Sequence, residues 1–242
     1  MTDTLRGCIV AEPGYTFLGL DASQLELRVL ALLSQDKRML LDLATGDLHM
    51  ATALRMFGHT DDADLIKKRR YDAKQCNFAV VYGADAYKLA QMFECSLEEA
   101  EQFMADHKAA YPRMYEWMEE RKAVARELGY VLSMFGRKRP IPNLTSSVWK
   151  LREDAEREVV NTEVQGTAID IIKMAMLVLR TVLDKRIRLV LNVHDEILWE
   201  CPDELLPVAI AQCQELPNYF PDYPFKLVTG KIYGEMKELE HG

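Results

Sequence analysis

The sequence has no long apolar run. Its densest stretches, Ile171–Ile172 and Met174–Leu179, are separated by Lys173 and are far too short to cross a bilayer. It is poor in cysteine: Cys8, Cys76, Cys95, Cys201 and Cys213 form no C-x-x-C pair, and an odd count argues against a disulfide framework. Residues Met1 to Glu12 lack the basic-then-apolar layout of a secretory leader. A reducing, cytoplasmic compartment with no membrane partner is expected. With 12 Gly and 9 Pro the chain is neither collagen-like nor of low complexity. It contains no Walker-type loop and no G-x-S-x-G elbow, and no Cys/His spacing suits zinc.

What is present is an ordinary globular composition. The 242 residues, 49% hydrophobic and 28% charged, allow one or two domains with a substantial core. Net charge is 30 − 38 = −8, which taken alone argues against a polyanionic partner. Charge placement matters more than the sum, because a local positive field acts on phosphates within a Debye length of ~8–10 Å. Two basic clusters stand out, Lys67-Lys68-Arg69-Arg70 with Lys74, and Arg137-Lys138-Arg139. Each taken alone reads as a solvated face.

Tyr15–Leu20 reads as a short strand ending at Asp21, followed by helical periodicity through Leu25, Val29, Leu32 and Leu33. A short helix is expected over His49–Phe57, stopped by Gly58, and a long one over Leu65–Tyr82, closed by Gly83. Ser96 with Glu99 fits a capping box. The helix it opens is interrupted by Pro112 and resumes to Gly129. Tyr130–Phe135 alternates as a strand, and Gly136–Pro142 reads as a basic loop. Helices are expected over Val148–Val160 and Ala168–Asp184, and Ile187–Glu200 reads as a hairpin turning at His194-Asp195. A helix over Asp203–Glu215, a loop over Pro217–Pro224 and a strand over Phe225–Val228 complete the chain. Few strands among long helices point to an α+β chain: a small antiparallel sheet with helices, built from both halves, and a helical insertion between them.

Asp21 and Asp195 each fall beside a β element. Two carboxylates brought together repel unless a positive charge sits between them, and hard divalent cations are the usual solution. Two such metals clamp both oxygens of a phosphoryl displacement. Taken singly, Asp21 reads as a helix cap and Asp195 as a turn residue. Arg70, Lys74, Phe78 and Tyr82, spaced by four, form one stripe on the long helix: cations suited to phosphates, then rings suited to a base or sugar. The plainer alternative is a basic surface helix whose rings enter the core. His49 is a lone histidine. Arg157, Asn161 and Gln165 repeat the spacing of four with planar polar groups suited to minor-groove acceptors or, equally, to solvent.

Together these pieces resemble the family A (Pol I-like) DNA polymerases. Asp21-Ala22-Ser23-Gln24-Leu25-Glu26-Leu27-Arg28 resembles motif A, Arg70–Gly83 (RYDAKQCNFAVVYG) motif B, and Val193-His194-Asp195-Glu196 motif C, in the family order. Asp47–Thr52, Gly136–Arg139 and Arg157–Ile172 match as well. The resemblance runs from about Leu5 to about Val228. It implies a right-hand polymerase fold with the thumb absent: palm over 1–50 and 140–242, fingers over 51–139, and the motif B helix at 65–83.

The resemblance also implies roles. Asp21, Asp195 and the Ala22 backbone oxygen would hold two Mg²⁺, with Mn²⁺ able to substitute, and Glu196 is a weaker ligand candidate. Arg70 and Lys74 would grip the triphosphate with help from His49, and Lys74 is a candidate proton donor to pyrophosphate. Glu26 would be the steric gate against a ribose 2′-hydroxyl, held by Tyr82. Gln24 joins the nucleotide site, and Phe78 would discriminate against dideoxynucleotides. Arg157, Asn161, Gln165 and His194 would touch the primer–template.

Ala79 departs from the family, standing where most members have Gly. The family's thumb, T-G-R-x-S-S palm segment and nuclease domains have no counterpart in the chain, so unaided DNA binding is expected to be weak and salt-sensitive. The expected function is template-directed addition of deoxynucleoside monophosphates to a primer 3′-hydroxyl, with primer–template DNA and dNTPs as partners. The competing expectation is a partner-dependent or catalytically silent piece of a split polymerase that binds DNA or dNTP and works with a thumb-bearing or processivity protein. A nuclease would need further acidic ligands, and a single-subunit RNA polymerase would lack the Glu gate.

Overall fold

The computed structural model describes residues 3–239. In chain order the elements begin with α1 (Asp3–Gly7), β1 (Tyr15–Ala22), α2 (Leu25–Ser34), α3 (Lys37–Ala44), α4 (Leu48–Phe57) and α5 (Ala63–Val81). There follow α6 (Ala86–Phe93), α7 (Leu97–Ala110), α8 (Pro112–Leu128), β2 (Tyr130–Leu132), β3 (Lys138–Pro140) and α9 (Trp149–Val182). The chain closes with β4 (Arg188–Val193), β5 (Glu196–Pro202), α10 (Leu206–Gln214), β6 (Phe225–Gly230) and β7 (Lys237–Glu238). The α+β class holds. The chain divides into two compact units, one of residues up to Glu26 with those from Ala168 on, the other Leu27–Thr167. These cuts differ from the palm and fingers limits drawn from motif positions.

The first unit is built on a five-stranded antiparallel sheet of order β4-β5-β1-β6-β7. β1 lies between β5 and β6, and Phe17 to Leu20 are all buried, which explains its unbroken apolar run. Asp21 ends that run opposite Glu196 of β5 and Lys226 of β6. Gly19 has a packing reason: a Cβ there would lie 2.6 Å from Val228 Cγ2 and 2.7 Å from Met236 Cε. Phe17, Leu198 and Tyr233 form a core cluster with Ile9, Ala11, Leu191 and Met236, and α10 packs on β1, β5 and β6. At the β4 edge Arg188 hydrogen-bonds Glu12 and Glu200 at 2.9 and 2.7 Å, a charged rim that discourages further strand pairing.

The second unit is helical apart from the β2–β3 hairpin. Its helix starts follow from short polar caps: Asp36, Asp47, Asp62, Asp85 and Ser96 each accept backbone N–H groups that would otherwise be orphaned. Ser96 and Glu99 form the expected capping box. α5 ends in a Schellman motif: Ala84 N–H bonds Ala79 O at 2.8 Å and Gly83 N–H bonds Val80 O at 2.9 Å, with Gly83 at φ 71°.

Several expectations need correction. α1, α3, α6 and β7 were not anticipated. Tyr130–Phe135 is a strand only to Leu132, and the expected basic loop returns as β3, pairing Lys138 with Leu132. This hairpin covers Val131, Ile141, Leu144, Ala125, Ala155 and Val159, and that burial organises a segment whose composition reads as loop. The helices expected over 148–160 and 168–184 are one, α9. A single interior glycine, Gly166, costs about 1 kcal/mol and does not break so long a helix; Arg137 Nη2 donates to its carbonyl at 2.7 Å and lies 3.2 Å from where a Cβ would sit. The expected helix over Asp203–Glu215 opens with a 3₁₀ turn before α10, where Pro207 sits in the first turn.

Candidate active site

In the sheet unit, motif A and motif C meet through strand pairing. Asp21 is opposite Glu196, and Ala22 N–H donates to the Asp195 carbonyl at 3.1 Å. The β4–β5 turn is His194-Asp195, with His194 at φ 54°. Just past Asp21, Gln24 sits at φ 53°. Left-handed backbone at non-glycine residues costs energy; Gln35, Glu94 and Asn143 adopt it elsewhere in the chain.

Burial pushes Asp21 up to about 6; the charges of Asp195 and then Glu196 add to the rise, while Lys226 opposes it. An anion held at such cost is a place for a cation. Among the described residues no three His, Cys, Asp or Glu side chains converge as a complete metal cage. Two carboxylates and a backbone oxygen instead fit hard, oxygen-seeking cations such as Mg²⁺, whose coordination water and phosphate would complete. Glu196 is already engaged: Tyr233 donates its hydroxyl to Oε2 at 2.6 Å, and Arg6 Nη2 lies 3.2 Å from the same oxygen. Its visible work is to tie β5 to the 3₁₀ turn at Tyr233. His194 is exposed at the turn, and Glu26 is half-buried in the first turn of α2.

In the helical unit, α5 carries Arg70, Lys74 and Phe78 at a spacing of four, and Tyr82 follows as its C-cap. Arg70 Nε bonds Asp47 Oδ2 at 2.6 Å, and Asp47 also caps α4, so one carboxylate fixes both the guanidinium and the start of the helix bearing His49. That contact with Arg70 draws Asp47 below the usual carboxylate range against the opposing effect of its burial. Lys74 is exposed and has no ion pair among the described residues. The Phe78 ring stacks on Tyr82 at 6.4 Å and leans on His49 at 5.8 Å. His49 is 2% exposed; burial, with Arg70 and Lys74 nearby, pushes it down to about 4, so its imidazole is neutral near pH 7.

The α9 residues divide. Arg157 bonds Glu153 and Asp154 at 3.1 and 2.7 Å, and its stem packs over Gly83, where a Cβ would lie 2.5 Å from Arg157 Cγ. Gln165 Nε2 donates to the Tyr82 hydroxyl at 3.1 Å, joining α9 to the end of α5. Asn161 Oδ1 is buried with no partner among the described residues. Sequence reasoning missed Asp47 as the partner of Arg70, and it missed Asn77. A buried Asn in a helix interior goes against helix propensity, and that was the available signal.

Comparison with known proteins bears on the family and the fold. A family model described as DNA polymerase family A matches residues 1–218. The thermostable DNA polymerase I of Thermus filiformis is 40% identical over 93% of this chain and 28% of that protein. The DNA polymerase I of Chloroflexus aurantiacus is 40% identical over 98% of this chain and 26% of its own length. The POL domain of Pol1 from M. smegmatis, solved in complex with DNA primer-template and dNTP, superposes with a TM-score of 0.86 at 30% identity, over 97% of this chain and 43% of that one. The chain therefore belongs to DNA polymerase family A. It spans about a quarter of the length of the DNA polymerase I relatives named here. No helix among the described residues is long and apolar enough to cross a membrane.

Proposed function

We propose that the chain performs template-directed transfer of deoxynucleoside monophosphates to a primer 3′-hydroxyl, the sheet unit acting as palm and the helical unit as fingers. The observation that carries the reading is the carboxylate pair: Asp21, held up near 6 by burial and by Asp195, at the point where motifs A and C pair. Asp21, Asp195 and the Ala22 carbonyl are the oxygens that would hold two Mg²⁺. When bound, these ions lower the pKa of the 3′-hydroxyl and neutralise the triphosphate.

The protein's own groups do the rest. Arg70, fixed by Asp47, and the exposed Lys74 bind phosphate oxygens, and Lys74 holds the proton that the departing pyrophosphate takes up. Phe78 packs against the sugar, and Glu26 excludes a 2′-hydroxyl, with Gln24 beside it. Arg157, Asn161, Gln165 and His194 serve the primer–template. DNA and dNTP as substrates imply a cytoplasmic site of action.

The net charge of −8 favours one addition: a thumb-bearing or processivity partner that contributes positive surface for the duplex. Primer extension by the full chain at low salt, with Mg²⁺ and all four dNTPs, beside Asp195→Asn, tests the reading. Extension abolished by the substitution supports it. No extension by folded wild-type protein refutes autonomous activity and leaves partner-dependent binding as the function.

A further inference from the structure

Behind His49, a chain of polar groups in the helical unit runs away from the phosphate-binding residues Arg70 and Lys74. Asn77, 2% exposed, lies three residues past Lys74 in α5. Its Nδ2 is 3.1 Å from His49 Nδ1, and its Oδ1 is 3.0 Å from His107 Nε2. His107 Nδ1 is in turn 3.1 Å from the Tyr115 hydroxyl. Thr52, whose hydroxyl donates to the Leu48 carbonyl at 2.9 Å, braces the amide at 3.2 Å.

The polarity of this chain follows from donors and acceptors. Both imidazoles are neutral near pH 7. Burial dominates at each; Arg70 and Lys74 oppose Asp47 around His49, and Arg55 opposes Asp36 around His107. Each ring then carries one N–H, and an amide donates only through nitrogen. In the orientation it has here, Asn77 Nδ2 donates to His49 Nδ1. Asn77 Oδ1 accepts from His107 Nε2–H, and His107 Nδ1 accepts from Tyr115 O–H. The one proton of His49 is thereby placed on Nε2, which has no partner among the described residues.

We infer that Asn77 is a positioning residue for nucleotide binding: backed by His107 and Tyr115, it locks His49 in the tautomer whose Nε2–H donates to an oxygen of the incoming triphosphate. The inference rests on reading Arg70, Lys74 and His49 as the phosphate grip. A neutral donor suits that place, because it adds a hydrogen bond without a third repelling cation.

Long-range ¹H–¹⁵N spectra of the histidine-labelled full chain test the lock without reference to activity. Wild type is expected to show His49 protonated at Nε2 and bare at Nδ1 at pH 7.5, and Asn77→Asp to show Nδ1 protonated. A wild-type Nδ1–H signal, or an unchanged His49 pattern in Asn77→Asp, overturns the inference. In primer extension, Asn77→Ala and His49→Ala should each raise KM for dNTP about tenfold with a smaller change in kcat, the size of one lost hydrogen bond to a charged group. The double variant should be no worse than His49→Ala, and additive losses overturn the positioning role. If His49→Ala leaves KM unchanged, the phosphate role of His49 fails and the positioning role with it, while the spectrum still decides the tautomer separately.

Discussion

Gly83 closes the motif B helix under two constraints that can be separated. Its φ of 71° lies in the left-handed region, and a Cβ there would sit 2.5 Å from Arg157 Cγ and 2.8 Å from Arg157 Cδ. Gly129, which closes α8, shares the first constraint at φ 74° but has nothing within 4 Å of a Cβ. Gly→Ala at a left-handed position costs about 1–2 kcal/mol, offset by about 0.4–1 kcal/mol from the stiffer unfolded chain. Gly129→Ala should therefore destabilise by about 1 kcal/mol. Gly83→Ala carries the same strain and also displaces the Arg157 stem. The clashing atoms are mid-chain, so the whole side chain must swing away and leave Glu153 and Asp154. Overpacking of this kind adds about 1–3 kcal/mol, for a total of about 2–4 kcal/mol. Urea unfolding of both variants, followed by circular dichroism at pH 7.5, measures the difference. Equal losses would refute the packing argument, and a loss under 0.5 kcal/mol at both would refute the strain argument.

Other consequences follow from the same contacts. Tyr111→Phe removes the hydroxyl that accepts from Arg55 at 2.7 Å and donates to Asp42 at 3.0 Å, leaving buried groups short of a partner; urea midpoints should report a loss of about 1–3 kcal/mol. Asp36→Ala removes the acceptor of the Arg38, Met39 and Met114 N–H groups and should cost about 2–4 kcal/mol in the same assay. His49 and His107 fold with values near 4 against an unfolded 6.5. At these two rings the unfolded chain takes up protons first, so their contribution is full above about 6.5 and falls as pH drops toward 4; Asp21, held near 6 in the fold, works the other way over the same window and offsets about one ring, leaving a net loss. Urea midpoints across that window should show a slope that flattens in His107→Gln; a midpoint constant from 6.5 to 4 would contradict the burial of both rings in neutral form. Lys74→Ala should lower kcat/KM for dNTP by about 10²-fold or more while leaving the urea midpoint within 0.5 kcal/mol, since Lys74 is exposed and makes no ion pair among the described residues.

The sheet was legible in the sequence because β1 announces itself by composition and the hairpin by its turn. Phe17–Leu20 is apolar without alternation, as a strand buried on both faces must be, and His194-Asp195 interrupts two apolar runs. The motif B helix was legible at its closing end from Gly83. Its true start, capped by Asp62, lay two residues before the expected one because the cap fell inside an acidic run that reads as turn. The β2–β3 hairpin was not legible, since Lys138–Pro140 is exposed, and its strand character comes only from pairing with Tyr130–Leu132. The unbroken α9 was hidden because residues 161–167 include Asn161, Thr162, Val164, Gly166 and Thr167, all weak helix formers, and the helix runs through them as part of one 34-residue element. At the site, the spacing of Arg70, Lys74, Phe78 and Tyr82 was plain. The partners that hold these groups in place, Asp47 and the Asn77–His107–Tyr115 chain, depend on tertiary packing that no periodicity reports.

The central claim is that Asp21 and Asp195 act together on phosphoryl transfer. Single-turnover incorporation of one correct dNTP onto a primer–template, with Mg²⁺, should be compared for wild type, Asp21→Asn and Asp195→Asn, each shown to be folded by circular dichroism. The account predicts that both isosteric variants lose about 10³-fold or more, because each removes a ligand charge from the metal pair. Either variant retaining a rate within tenfold of wild type would contradict it.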